Sequence, residues 1–177
     1  MTTPSVEAEP RRWTAGRVAL LVIVVAMVAM WVYVLYLAFG PGRQPPPDQL
    51  DDPAFGQAAE QVCQAAHDDV DDLPPAVEAE SAAERAAIIA DANERFAAMV
   101  DDLEPLAPDG EDGEIVMEWI ADWRTYLSDR EAYAEALTTD PEARFYVTQK
   151  DNAQVTEYID AFAADNHMAA CATPTDV

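Results

Sequence analysis

Basic side chains are scarce in this chain. Lysine and arginine together number 10 against 34 aspartate and glutamate residues, and Lys150 is the one lysine. Because nucleic-acid binding needs basic groups that neutralise phosphates, this balance excludes nucleic acid as a direct partner. Cysteine is scarcer still, and the two residues present are too few for a cysteine-based structural zinc site.

Catalytic sequence motifs are absent as well. The chain contains no G-x-S-x-G nucleophile elbow, no H-E-x-x-H zinc motif, no P-loop and no G-x-G-x-x-G dinucleotide motif. Ser81 and Ser128 have no histidine near them in the sequence. Acidic residues are so numerous that no pair stands out as a general acid and base. We therefore expect a non-enzymatic protein with no catalytic residue and no cofactor.

The longest apolar segment, residues 18–39, contains no charged residue. Its 22 residues are long enough to cross a bilayer core of ~30 Å as a helix. The apolar region of a cleaved signal peptide is usually shorter, ~7–15 residues, and residues 36–40 form a poor cleavage site. We therefore predict an uncleaved membrane helix that contacts the lipid bilayer, and a cleaved signal peptide is the alternative.

The flanks of this apolar segment differ in charge. Arg11, Arg12 and Arg17 precede it, whereas Arg43 alone follows it closely. Cytoplasmic flanks of membrane helices carry the excess of basic residues. The sequence therefore predicts a single-pass protein of the plasma membrane, with residues 1–17 in the cytoplasm and the remainder after the helix outside.

The segment after the apolar run is acidic. Residues 40–51 include three consecutive prolines and predict an extended linker. Residues 52–177 follow it and have a length typical of one domain. From residue 48 onward the chain has 32 acidic and six basic residues, a formal charge of −26. This charge indicates either a solvated surface or a surface that binds cations or basic partners.

Apolar residues recur at helical spacing in four segments of this outer domain. The first segment covers about residues 52–73. The second begins at residue 77 or 81 and ends at 103, and the last two cover about 111–137 and 152–168. Asp52 and Pro53 predict where the first of these helices begins, with Asp52 as the N-cap and Pro53 as the first helical residue. Residues 144–148 are aromatic and β-branched, which favours an extended segment over the helices. We predict an all-α protein with one N-terminal transmembrane helix and an extracytoplasmic antiparallel four-helix bundle.

Both cysteines lie on the side of the membrane that we predict to be oxidising. Cys63 and Cys171 therefore predict a disulfide that ties the end of the chain to the first outer helix. This bond would bring His67 and His167 into one neighbourhood, beside Met168. Two histidines and a methionine are weak candidates for a copper or haem site. The alternative is that both histidines, which have polar neighbours, lie on a solvated surface.

The third outer segment combines arginine with aromatic residues. These are Trp119, Trp123, Arg124, Tyr126 and Arg130. Arginine, tryptophan and tyrosine dominate the hot spots of protein interfaces, so we expect a partner-contact patch here. Ion pairs within the helix or the bundle are the alternative.

Two sequence patterns carry a resemblance. They read WxxxWRxY from Trp119 and NxMxxCxxPxD from Asn166. In these the chain resembles uncharacterised actinobacterial single-pass membrane proteins with a C-terminal helical extracytoplasmic domain, a resemblance that implies no known activity. The sequence therefore favours a non-enzymatic envelope interaction or accessory protein that contacts another envelope protein. The alternative is an extracytoplasmic ligand- or cation-binding domain.

Overall fold

The computed structural model of the protein describes residues 15–40 and 46–176. The chain divides into two compact units, Met1–Pro45 and Pro46–Val177. The predicted cytoplasmic residues 1–14 and linker residues 41–45 lie outside the described residues.

The first unit contains one long helix, α1, at Ala15–Phe39. Its 25 residues contain an 18-residue window with a mean hydropathy of 2.9, which makes the helix long and apolar enough to cross a membrane. None of its side chains is buried within the protein. A helix that is apolar on every face needs an apolar environment around it, as a membrane span has. The helix starts earlier than the predicted run because Ala15, Gly16 and Arg17 continue its first turn.

The second unit is mostly helical, as predicted. Its described part contains the α-helices α2 (Ala54–Asp71), α3 (Ala82–Leu103), α4 (Glu111–Leu137) and α5 (Val155–Asp165). Short 3-10 turns lie at Ala76–Glu78, Glu104–Leu106 and Ala169–Cys171. Two short strands, β1 (Gln149–Lys150) and β2 (Ala153–Gln154), pair antiparallel as a hairpin that the sequence analysis did not predict.

The start of α2 differs from the prediction by a small shift. Pro53 occupies the N-cap instead of the first helical position. The carboxylate of Asp52 accepts a hydrogen bond of 2.9 Å from the backbone nitrogen of Ala54, so it caps the helix from one residue further out. The start of α3 follows the usual pattern, because the Ser81 hydroxyl accepts a bond of 3.2 Å from the backbone nitrogen of Glu84.

Helix α5 is shorter at both ends than the predicted segment 152–168. The hairpin takes up the first residues, with Asp151 at a φ of 50° in its turn. His167 has a φ of 58°, a left-handed conformation that ends the helix. The stretch 143–148 forms no regular element, yet its Phe145 ring packs 5.5 Å from the Tyr133 ring. The expectation that this stretch covers the helices is therefore confirmed.

The predicted apolar stripes of the four outer helices face one main core. Phe55, Phe96, Trp123 and Ile159 represent α2, α3, α4 and α5 in it. A smaller core lies at one end of α3 and α4, where Ile89, Tyr133 and Leu137 meet the turn at Ala76. Four of the seven buried aromatic residues of the two cores lie on α4, and this helix packs against both α3 and α5.

Candidate functional site

The predicted partner-contact patch on α4 is largely buried, and this part of the prediction was wrong. Trp119, Trp123, Tyr126 and Arg130 have exposed fractions of 3%, 0%, 2% and 0%. Their spacing of three and four residues places them on the side of α4 that packs against the core. Arg124 alone of the five is exposed, and it pairs with Glu104 and, at 3.6 Å, with Asp101.

Arg130 forms a buried polar centre instead. Its Nη1 and Nη2 atoms donate to the two carboxylate oxygens of Asp176 at 2.6 and 2.8 Å, a bidentate pair. Its Nε donates to the Asn93 side-chain oxygen at 2.6 Å, which links α4 to α3. The guanidinium also lies 5.6 Å from the ring centres of Phe96 and Tyr126. The ion-pair alternative for Arg130 is therefore the correct one.

The electrostatics of this centre follow from its burial. Burial lowers the pKa of Arg130. The hydrogen bonds that Arg130 donates to Asp176, together with the negative charge of Asp176, outweigh this effect and leave the pKa raised. Burial raises the pKa of the Tyr126 hydroxyl, and the nearby Arg130 charge offsets only part of that rise. Both groups are therefore held in their protonated forms at neutral pH, which suits a structural pair more than proton transfer.

Residues 168–176 are fastened to the helices at several points. The Tyr126 hydroxyl donates to the Pro174 carbonyl at 3.3 Å, and Asp160 accepts from the backbone nitrogen of Thr173 at 2.7 Å. Glu60 on α2 accepts from the backbone nitrogen of Ala170 at 2.9 Å. The segment therefore binds to α2, α4 and α5 at once and holds Asp176 beside Arg130.

The predicted disulfide is present in the structure. Cys63 on α2 and Cys171 in the last 3-10 turn are joined, with their Cα atoms 5.1 Å apart. Both residues are completely buried in the main core. A buried disulfide of this kind indicates an oxidising environment for the second unit.

The three weak metal candidates lie in different surroundings. His67 is half-buried, with its ring 5.2 Å from that of Phe96. His167 is exposed, whereas Met168 is completely buried in the main core. Across residues 15–40 and 46–176, no group of three or more histidine, cysteine, aspartate and glutamate side chains could hold a metal ion. The copper or haem site and the alternative of a cation-binding domain therefore stay predictions.

Lys150 is occupied by internal partners. Its ammonium donates to Glu118 at 2.8 Å and to both carboxylate oxygens of Asp122 at 3.0 and 2.8 Å. It also lies 5.1 Å from the ring centre of Tyr158 on α5. Burial lowers the pKa of Lys150, but its carboxylate partners outweigh this and raise it. The lysine therefore joins the hairpin to α4 and α5.

An open groove runs between α3 and α4. It encloses about 430 Å³ and has an alanine-rich floor that includes Val100 and Leu127. Glu94, Asp101 and Glu131 line it as well, and Arg124 is the basic residue in it. The sequence analysis missed this groove, because its lining residues alternate between small, apolar and acidic types that an ordinary solvated helix face also shows.

The comparisons with known proteins add no relative. No family model matches the chain, and no match was found among curated proteins or among solved structures.

Proposed function

We propose that this protein is a non-enzymatic envelope protein whose outer helical domain contacts another envelope protein. In this proposal α1 anchors the chain in the plasma membrane as a single pass, with the N-terminus in the cytoplasm and the second unit outside. The resemblance to actinobacterial single-pass membrane proteins stays a prediction that agrees with this topology.

Two features of the structure support the location. The helix α1 is apolar enough to span a bilayer, and a buried disulfide holds the second unit together. Disulfides persist in oxidising compartments and are rare in the cytoplasm, so the second unit belongs on the outer side of the membrane that α1 crosses. The basic residues Arg11, Arg12 and Arg17 before and at the start of α1 favour the same orientation.

The open groove between α3 and α4 is the observation that carries the interaction role. Outside the groove the aromatic side chains of the domain, except Tyr146, are buried or half-buried, and the Arg130–Asp176 pair faces inward, so few such groups remain there to bind a partner. The groove keeps apolar surface accessible beside carboxylates. We further propose that α2 to α5 form an antiparallel four-helix bundle, supported by the packing of α3 on α2 and α4 and of α4 on α5.

Topology is tested with reporters fused after Val177. An exported phosphatase should be active there, and a reporter that works only in the cytoplasm should be silent. The opposite pair of results contradicts the orientation.

Interaction is tested by crosslinking the full chain in cells. Amine-reactive reagents are unsuitable because Lys150, the one lysine, is held by Glu118 and Asp122. Photo-reactive residues should therefore be placed at exposed positions of α3 and α4, with buried Met99 as the control position. We expect adducts to another envelope protein from exposed positions, identified by mass spectrometry. Recovery of the uncrosslinked chain alone from every exposed position contradicts the proposal.

A further inference from the structure

We propose that the groove between α3 and α4 binds a basic amphipathic helix of the partner protein. This inference rests on the proposed function and adds the chemistry of the partner. Helices of this type dock through an apolar face that fills a groove and through flanking charges that meet its rim.

The shape of the groove fits one helix. On α3 it follows Ala90, Asn93 and Ala97, which lie on one face at intervals of three and four residues. From Ala90 to Asp101 this face is ~16 Å long, about three helical turns. Ala90 and Ala97 are exposed and have short side chains, so a partner helix can approach α3 closely.

The floor of the groove is firmly held. Asn93 lies in it and accepts the 2.6 Å hydrogen bond from buried Arg130. Val100 is 1% exposed and belongs to the main core, and half-buried Leu127 packs against that core. A docking surface backed by fixed side chains loses little conformational freedom on binding, which favours affinity.

The charges on the rim select a basic partner. Among the described residues, Glu94 and Glu131 have no basic side chain within ion-pair distance and no side-chain hydrogen bond, although both line the groove. The one arginine of the groove, Arg124, is already paired with Asp101 and Glu104. Lysine or arginine on the flanks of a docking helix would find two unpaired carboxylates, one on each wall.

The same charges disfavour a second copy of this chain as the occupant. From residue 48 onward each copy carries 32 acidic and six basic residues, a formal charge of −26. Two such surfaces repel one another, and this repulsion opposes self-association through the groove. A basic segment of a different protein reduces that charge when it binds.

A binding experiment on the full chain tests the groove. The protein is placed in nanodiscs of uncharged phosphatidylcholine, and empty nanodiscs serve as the blank. The probe is a fluorescent peptide of about 15 residues, ~22 Å long as a helix, with leucine along one face and lysine on its flanks. A peptide of the same composition, reordered so that no apolar face forms, controls for general attraction to an acidic surface. We expect saturable binding of the amphipathic peptide and binding at least about tenfold weaker for the reordered peptide.

Matched variants locate the binding. Ala97→Trp fills the groove and should weaken peptide binding about tenfold, whereas Ala87→Trp, exposed on the same helix outside the groove, should change it less than about twofold. Glu131→Lys should weaken binding about threefold, and Glu135→Lys, one turn along α4 and outside the groove, should not.

Equal effects of the two tryptophan variants, or equal binding of the two peptides, overturn the assignment of the groove. In that case crosslinks to another envelope protein from exposed positions outside the groove would leave the proposed function intact. Absence of crosslinks from every exposed position contradicts the proposed function itself, so the two failures are distinguishable.

Discussion

Arg130 is the residue on which the outer domain depends most. Its guanidinium is completely buried, and Asp176 is the one carboxylate within ion-pair distance of it among the described residues. A buried charge without its partner is far more costly than an exposed one, because it loses its hydration without compensation. Asn93 and Tyr126 complete the set of groups around it.

Removal of one partner of this pair should therefore destabilise the protein strongly. We expect Asp176→Asn to lower the free energy of unfolding by about 3 kcal/mol, because Arg130 stays buried without a counter-charge. Arg124→Ala, which breaks an exposed ion pair, is the control and should cost at most about 1 kcal/mol. Urea unfolding followed by circular dichroism measures both. Equal effects of the two substitutions would show that the buried pair contributes no more than a surface pair.

Tyr126 should make stability depend on alkaline pH. Its pKa in the folded protein is raised above the ordinary value of 10.0, mainly by burial. Below pH 10.0 the phenol is protonated in both the folded and the unfolded protein, and its contribution to stability is fully present. As the pH rises above 10.0 the unfolded chain releases the proton first, so stability falls until the raised pKa of the folded state is passed.

The melting temperature measured against pH checks this. Above pH 10 the wild-type protein should lose more stability than Tyr126→Phe, whereas Tyr146→Phe, at a residue that is 75% exposed, should follow the wild-type curve. Parallel curves for all three proteins contradict a role for Tyr126 in alkaline unfolding.

At the scale of whole elements, the close approach of α2 to the end of α5 depends on one glycine. Gly56 is buried in the first turns of α2, and a Cβ atom there would overlap the backbone carbonyl oxygen of Asn166. The Asn166 side chain in turn accepts a hydrogen bond of 2.9 Å from the backbone nitrogen of Leu50. The missing side chain therefore allows α2, the end of α5 and the first residues of the unit to meet.

Gly56→Ala should reverse the usual effect of helix propensity. An alanine in place of glycine normally stabilises a helix interior by about 0.5–1 kcal/mol. Here we expect destabilisation by about 1–3 kcal/mol, because a backbone atom must move to admit the methyl group. Gln57→Ala at the exposed neighbouring position is the control and should be neutral or slightly stabilising. Thermal unfolding compares the two, and a stabilised Gly56→Ala protein would contradict the close packing.

For the molecule as a whole, the disulfide is the covalent link between two distant parts of the chain. It joins residues 108 positions apart and closes a loop that contains α3, α4 and α5. Such a loop restricts the unfolded chain strongly, which raises the free energy of the unfolded state. The hydrogen bonds of Glu60 and Asp160 hold the same C-terminal segment independently.

Removal of the disulfide should therefore weaken the fold without changing its helices. We expect the double variant Cys63→Ala/Cys171→Ala to lose about 4 kcal/mol of unfolding free energy, with the far-ultraviolet circular dichroism of the native state retained. Reduction of the wild-type protein should give a similar loss. Thiol labelling of the denatured, unreduced protein should detect no free cysteine, and two labelled thiols would contradict the bond.

The local features of this protein are predictable from its sequence. The apolar run of α1, the four outer helices and their buried stripes depend on residues a few positions apart, so their periodicity is visible in the sequence. The pairing of Cys63 with Cys171 was also determined, because the chain has no other cysteine. Residues 111–137 were predicted with the bounds that α4 has, since a glycine turn precedes it and its stripe is continuous.

The packing of the helices against one another sets which α4 side chains are exposed and which partners they contact. The spacing of Trp119, Trp123 and Arg130 is the same for a core face as for a binding face, and burial is settled by the helices that pack against it. Arg130 pairs with Asp176, which lies 46 positions further along the chain. No periodic pattern in the sequence connects two residues at that separation. The groove between α3 and α4 likewise exists only where two separate helix faces lie side by side.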